Sequence, residues 1–188
     1  KSSRQKESFI MNIFYLSEDA TECAKQHCDK HTVKMILEYA QMLSTAHRVL
    51  DGDEYADTHN LYKIAHKNHP STIWARSSSL NYRYLYDLFV ALCDEYTKRY
   101  EKRHTTDSKL RVPLAMPPKA LLYFRVGFTE PPQCMPEECK VPDNAIEAYR
   151  NYYRQYKKSF AKWYKSETSG PGWFYSEGTD LDTYPLFH

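Results

Sequence analysis

KHTVKMILEYAQMLSTAHRVL, residues 30–50, is the stretch whose reading decides the fold. Placed on a helix at about 100° per residue, Val33, Met35, Ile36, Leu37, Tyr39, Ala40, Met42, Leu43, Ala46, Val49 and Leu50 cover most of its circumference. Such a helix is expected to be buried on most sides. Lys34, Glu38, Gln41, Thr45 and Arg48 follow at spacings of four, three, four and three and share the remaining arc. This polar stripe is either the one face left to water or the wall of a cleft. Its cation, carboxylate, amide, hydroxyl and guanidinium suit binding a polar ligand and moving a proton. His47 points to the apolar side and reads as a core histidine.

Outward from this helix the pattern stays helical. The apolar run MNIFYL, residues 11–16, is expected as a strand or an extended segment tucked under helices. Ser17, with Glu18 and Asp19 after it, reads as a helix cap, and that helix should run to about Cys28. Asp29 is the expected cap of the central helix, and Gly52 stands where a helix C-terminus favours glycine. Leu61–His66 is expected to form one or two turns, and Pro70 to open a new helix. From Ser71 to His104, Leu80, Tyr84, Leu88, Leu92 and Tyr96 recur every four residues, with a break around Ser77–Ser79. Thr105–Asp107 should cap a short helix. Residues 126–142 are irregular and rich in proline. Asp143 should cap a last helix over Asn144–Ser166. The fold class expected is all-α: a compact single-domain bundle over residues 11–168. Residues 1–10 read as a tag or upstream extension, and residues 169–188 as an extended tail.

The totals exclude several classes. The 188 residues suffice for one sizeable core. Five glycines and no GxGxxG or GxxxxGK[ST] pattern argue against a nucleotide-cofactor enzyme, and no cofactor is expected. Seventeen tyrosines supply rings that pack in a core while hydrogen-bonding at an edge. A net charge of +2 requires any nucleic-acid footprint to be local. Five cysteines without a CxxC pair, and no signal peptide or long apolar run, predict a reduced, cytoplasmic protein with no membrane partner. Composition says nothing of the oligomeric state.

One local footprint is present. AYRNYYRQYKKSFAKWYK, residues 148–165, carries Arg150, Arg154, Lys157, Lys158, Lys162 and Lys165 with no acid among them, interleaved with aromatic rings that include Tyr153. Cations there suit phosphates and exposed rings suit bases. The competing reading makes the rings a core face and the cations its solvated back. His69 and Arg76 flank a helix start and suit an anion. Cys23, His27 and His31 recur every four residues, but they match no strong zinc pattern, and no metal is assigned. Lys30 and Lys34 are candidate Schiff-base amines.

CDKHTVKMILEYAQMLSTAHR, HPSTIWARSSSLNYRYL, CMPEECK and AYRNYYRQYKKSFAKW resemble segments of small bacteriophage proteins known as pyrimidine-dimer DNA glycosylases. The likeness runs from Met11 to about Lys165. A fainter one reaches the classical phage pyrimidine-dimer glycosylase/AP-lyase, a compact all-α enzyme. That enzyme attacks the sugar with its N-terminal amine, assisted by a carboxylate, with arginines on the phosphates. The corresponding start here is Met11-Asn12, with ten residues before it, so that amine is not carried over. The resemblance implies a phage enzyme in the host cytoplasm with DNA as partner, an N-glycosylase, with or without AP-lyase activity, on a damaged or modified pyrimidine. It assigns Asp29, His31, Lys34 and Glu38 to catalysis, with Glu38 as the carboxylate. Arg48, His69, Arg76, Arg150, Arg154, Lys157, Lys158 and Lys162 then fall to DNA phosphates, and Gln41, Thr45 and Tyr153 to the substrate pocket. A transferase on a modified pyrimidine and a non-catalytic DNA-binding or host-interaction protein are the rival readings.

Overall fold

The computed structural model describes residues 11–123 and 127–176; the tag or extension expected over residues 1–10 lies outside them. These residues are helical, with no strand among them. The elements are α1 (Ala20–Gln26), α2 (Asp29–Asp51), α3 (Glu54–Thr58), α4 (Pro70–Ala75), α5 (Ser79–Tyr100), α6 (Thr105–Leu110), α7 (Ala145–Tyr152) and α8 (Gly172–Tyr175). No helix among them is long and apolar enough to cross a membrane.

The central helix is α2, 23 residues long. Met35, Ile36, Tyr39, Ala40, Met42, Leu43 and Ala46 are all buried. The long α5 lies along it, α1 packs on α5, and α4 closes another side of α2. Gly52 ends α2 with φ +78°, its N–H returning to the Arg48 carbonyl.

Several helix starts differ from expectation. Asp19 rather than Ser17 caps α1, accepting from the Glu22 N–H. Cys28, without a side-chain cap bond, precedes α2, and Asp29 is its first residue. Imidazole nitrogens cap two helices: His69 Nδ1 accepts from Ser71 N–H, and His104 Nδ1 from Thr106 N–H. Asn144, one residue past Asp143, caps α7. The break around Ser77–Ser79 is present, with Ser78 capping α5.

Leu61–His66 forms no helix. It runs along α2, where its backbone carbonyls and N–H groups need partners, and two members of the predicted stripe supply them. Arg48 donates to the Leu61 and Tyr62 carbonyls and to the Asp53 and Asp57 carboxylates. Thr45 Oγ1 accepts from Ala65 N–H. Both side chains are buried clamps.

The predicted helix Asn144–Ser166 is also shorter. Its α-helix ends at Tyr152, one wider π-helical turn succeeds it over Tyr153–Lys157, and the chain then leaves the helix. Residues 162–165 strap across the start of α2. Asp29 N–H donates to the Lys162 carbonyl, an Asp29 carboxylate oxygen accepts from Lys165 N–H, and Trp163 Nε1 donates to the Gln26 carbonyl. Within the tail, α8 sets Trp173 over the guanidinium groups of Arg150 and Arg154.

Tyrosine hydroxyls do much of the stapling, as their number suggested. Tyr55, Tyr82, Tyr84, Tyr86 and Tyr149 each donate to a loop or chain-end carbonyl, those of Pro113, Leu114, Ser17, Arg111 and Pro132. The proline-rich segment is held by Tyr149, by Trp74 Nε1 donating to the Thr129 carbonyl, and by Asn81.

The segment 11–16 is buried under the helices without regular structure of its own. A closed polar circuit holds it. Phe14 N–H donates to the Tyr39 hydroxyl, which donates to His27 Nε2; His27 Nδ1–H donates to the Cys23 carbonyl, and the Cys23 thiol to the Phe14 carbonyl. The tautomer is fixed because a carbonyl only accepts. Burial pushes the His27 pKa from 6.5 down to about 4. The neutral ring therefore favours folding fully above about pH 6.5, and that contribution is lost as pH falls through 4. Its size is about 3 kcal/mol for a shift of this magnitude. His27→Gln is expected to flatten the acid limb of stability in urea titrations at pH 4 to 7. An unchanged limb would remove His27 from it.

Candidate active site

The first half of α2 keeps one face open, and it coincides only in part with the face periodicity selected. Lys30, Val33, Lys34 and Leu37 are exposed, and Gln41 is half-buried. Val33 and Leu37, assigned to the core from sequence, are 41% and 40% exposed. Glu38 sits at the edge of this face, 8% exposed. The stripe therefore divides: Lys34, Glu38 and Gln41 belong to the open half, while Thr45 and Arg48 are sealed under residues 61–65. Arg48 thus spends its donors on Leu61, Tyr62, Asp53 and Asp57, and Thr45 faces Ala65, so neither is turned to the open face with Lys34.

Glu38 is unusual chemically. Its Oε1 lies 3.9 Å from Lys34 Nζ. Its Oε2 is shielded from solvent with no hydrogen-bond partner among the described residues. Burial raises its pKa from 4.5 to about 7, against the opposing pull of Lys34. A carboxyl poised there exchanges a proton at neutral pH, as a general acid or base requires.

Around Lys34 stands a group of cations and rings. The π turn after α7 brings Lys157 back to α2, its ammonium 4.5 Å from the Tyr152 ring centre and 5.7 Å from that of Phe160. Lys30 covers Phe160 at 4.4 Å. Burial, then the charges of Lys34 and Lys30, lower the Lys157 pKa. His31 is stacked on Phe14 with ring centres 4.2 Å apart, and its Nδ1 is 2.6 Å from the Tyr153 hydroxyl. Burial, reinforced by His27 and by Lys157, Lys34 and Lys30, holds the His31 pKa well below 6.5, so the ring is neutral.

Several predicted site residues are engaged elsewhere. Asp29 binds Arg99 and the Lys165 N–H and anchors the strap. Tyr153 is fully buried, and its hydroxyl meets His31 Nδ1. Arg150 donates twice to the Leu16 carbonyl. Arg154 binds Glu147, Asn151 and the Trp173 carbonyl. The fold thus turns the two arginines inward and leaves Lys158, Lys162 and Lys165 outside, with Lys157 half-buried against α2. His69 caps α4. Arg76 donates to the Lys67 carbonyl, while its Nη1 is buried with no partner and no carboxylate pairs with it among the described residues. Cys23 and His27 are committed to the polar circuit and His31 to Tyr153, and no metal-holding group of His, Cys, Asp or Glu occurs among the described residues.

A family model described as pyrimidine dimer DNA glycosylase matches residues 11–108, more than half of the chain. The chain belongs to this family. No curated protein and no solved structure matches. The part shared with the pyrimidine dimer DNA glycosylase family holds Lys30, His31, Lys34, Glu38 and Arg76, whereas Tyr153, Lys157 and Phe160 lie beyond it.

Sequence reasoning did not find the ring partners Phe14 and Phe160, 17 residues before and 129 after His31, because nothing in their spacing marks them. Tyr153→Phe is expected to cost about 1–3 kcal/mol, since it leaves the His31 Nδ1 and the Cys28 N–H without their shared partner. Urea unfolding at pH 7.5 measures it; a neutral substitution would show that the ring alone positions His31.

Proposed function

We propose that this protein is an N-glycosylase acting on a damaged or modified pyrimidine in DNA, with the open face of α2 as its active surface. The observation that supports it most is Glu38: a buried carboxyl with a pKa near 7, with Lys34 beside it on a face that also exposes Val33 and Leu37. Breaking the bond from C1′ to the base leaves positive charge on the sugar. The Glu38 carboxylate stabilises that charge or takes a proton from the attacking group. Lys34 is its electrostatic partner, and Lys30 and Lys157 bring positive charge to the adjacent phosphates. Arg76, with no carboxylate paired to it among the described residues, is a further phosphate contact. Val33 and Leu37 offer apolar contact to a nucleotide drawn out of the stack.

The test is incubation with irradiated and with phage-modified duplex DNA, then nucleoside mass spectrometry and borohydride trapping. Release of a base supports the reading, and a trapped adduct adds an amine nucleophile and lyase activity to it. A heavier nucleoside would replace it with a transferase. Bound but unchanged DNA would replace it with a non-catalytic DNA-binding protein.

A further inference from the structure

Lys157 is the last residue of the π turn that succeeds α7. Such turns are rare and are frequent at functional sites. This one is fastened at both ends. Its first residue, Tyr153, accepts from the Cys28 N–H, so the hydroxyl proton goes to His31 Nδ1, 2.6 Å away. At the other end the Lys157 carbonyl accepts from the N–H groups of Phe160 and Ala161. The turn is thus pinned to the start of α2, and it carries the Lys157 side chain to Lys34 and Lys30.

The three lysines of this cluster are not alike. The Lys34 side chain is 56% exposed, and its Nζ lies 3.9 Å from Glu38 Oε1. Lys30 is exposed, with its Nζ over the Phe160 ring. Lys157 is half-buried, so solvent still reaches part of it, with the Tyr152 and Phe160 rings on its ammonium. No carboxylate pairs with it among the described residues. Ring faces favour the ammonium. Burial and the like charges of Lys34 and Lys30 oppose it and prevail, so the pKa falls below the ordinary 10.5. An amine nucleophile needs such a lowered pKa, because only the free base attacks. Lys34 is the common neighbour: it pairs with Glu38 and its charge acts on Lys157.

We propose that Lys157 is an amine nucleophile whose Nζ forms an iminium with C1′ of a deoxyribose in DNA, giving the protein AP-lyase activity. The inference deepens the glycosylase reading and rests on it for its substrate. In its protonated form Lys157 meets phosphate; as the free base it attacks. Nζ bonds C1′, and the base departs with the electron pair of its bond and takes a proton from water. The nitrogen then gives one proton to O4′ as the C1′–O4′ bond breaks, which leaves the iminium. Loss of a C2′ proton to solvent expels the 3′ phosphate with the electrons of the C3′–O bond. On a site already abasic, Nζ adds to the C1′ aldehyde and water leaves.

The probe is duplex DNA with one abasic site, incubated with the full chain and borohydride. Hydride fixes the iminium as a secondary amine, and tandem mass spectrometry of the digested adduct locates the modified lysine. An adduct on Lys157 is expected, with cleavage of the strand when borohydride is left out. Lys157→Arg keeps the cation and should bind this DNA while losing the adduct. No adduct, or an adduct on Lys30, Lys34, Lys158 or any other amine, would overturn the proposal, and this mapping on the wild type stands even if the variant fails to fold. Irradiated DNA run in parallel separates the two readings. Base release without an adduct would overturn Lys157 and keep the glycosylase, whereas an adduct on Lys157 without base release would keep the lyase and overturn the glycosylase.

Discussion

Glu38→Gln is expected to lower base release from irradiated duplex DNA by roughly 10²–10⁴-fold, the range a positioned acid or base contributes. Affinity for DNA should change little, because Lys30, Lys34 and Lys157 remain in place. If the ionised carboxylate is the working form, wild-type kcat/KM rises with pH through about 7. The residual activity of the variant should be flat over the same range. Wild-type turnover in Glu38→Gln would remove this carboxyl from the mechanism.

The same substitution has a stability signature. A carboxyl whose folded pKa is raised from 4.5 to about 7 favours folding fully below 4.5, and that contribution is lost as pH rises through 7. At pH 8 the buried charge therefore costs on the order of 2–3 kcal/mol. An amide removes that cost, so Glu38→Gln should be the more stable protein at pH 8. His27 has the opposite sign, since its pKa is depressed to about 4. In the wild type the two partly cancel between about pH 4.5 and 6.5, so stability in the variant should fall more steeply with acid there. An enzyme that gains stability as it loses activity would mark Glu38 as a strained functional group.

Arg99→Met is expected to cost about 3–5 kcal/mol, the scale of breaking a buried ionic network by removing one member. It should lower the melting temperature by roughly 10 °C in a domain of this size. The Arg99 side chain is 1% exposed. Its guanidinium binds the Glu95 and Asp29 carboxylates, the Thr32 hydroxyl, and the Lys25 and His27 carbonyls. It thus satisfies chain-end carbonyls where α1 gives way to α2. Methionine fills similar volume and leaves these acceptors without a donor. Because Asp29 also ties down the strap at Lys162 and Lys165, the loss should loosen the corner carrying His31 and Lys34. Thermal and urea unfolding measure the cost; a loss below about 1 kcal/mol would show that apolar packing alone holds the corner.

How much of this was legible in the sequence differs from residue to residue. The all-α class, the span of the central helix, its glycine stop, the proline-led start of α4 and the break before α5 all arise from periodicity and capping chemistry, which act over a few residues. Glu38 and Lys34 were legible as a pair because one helical turn brings them together. The roles of Arg48 and Thr45 were not. They depend on residues 61–65 running beside α2 as unpaired chain whose carbonyls and N–H groups require partners, and no local signal announces that. Likewise, the run of cations after Arg150 gave no means of telling Arg150 and Arg154, turned inward, from Lys157, folded back toward α2. Which cations stay exposed is set by the π turn, the strap and Trp173. By itself the sequence determined which segments become helices, since propensity and caps are properties of neighbours. Only the tertiary structure decided which polar groups were left over, because a buried donor or acceptor is satisfied by whatever the fold brings within about 3 Å of it.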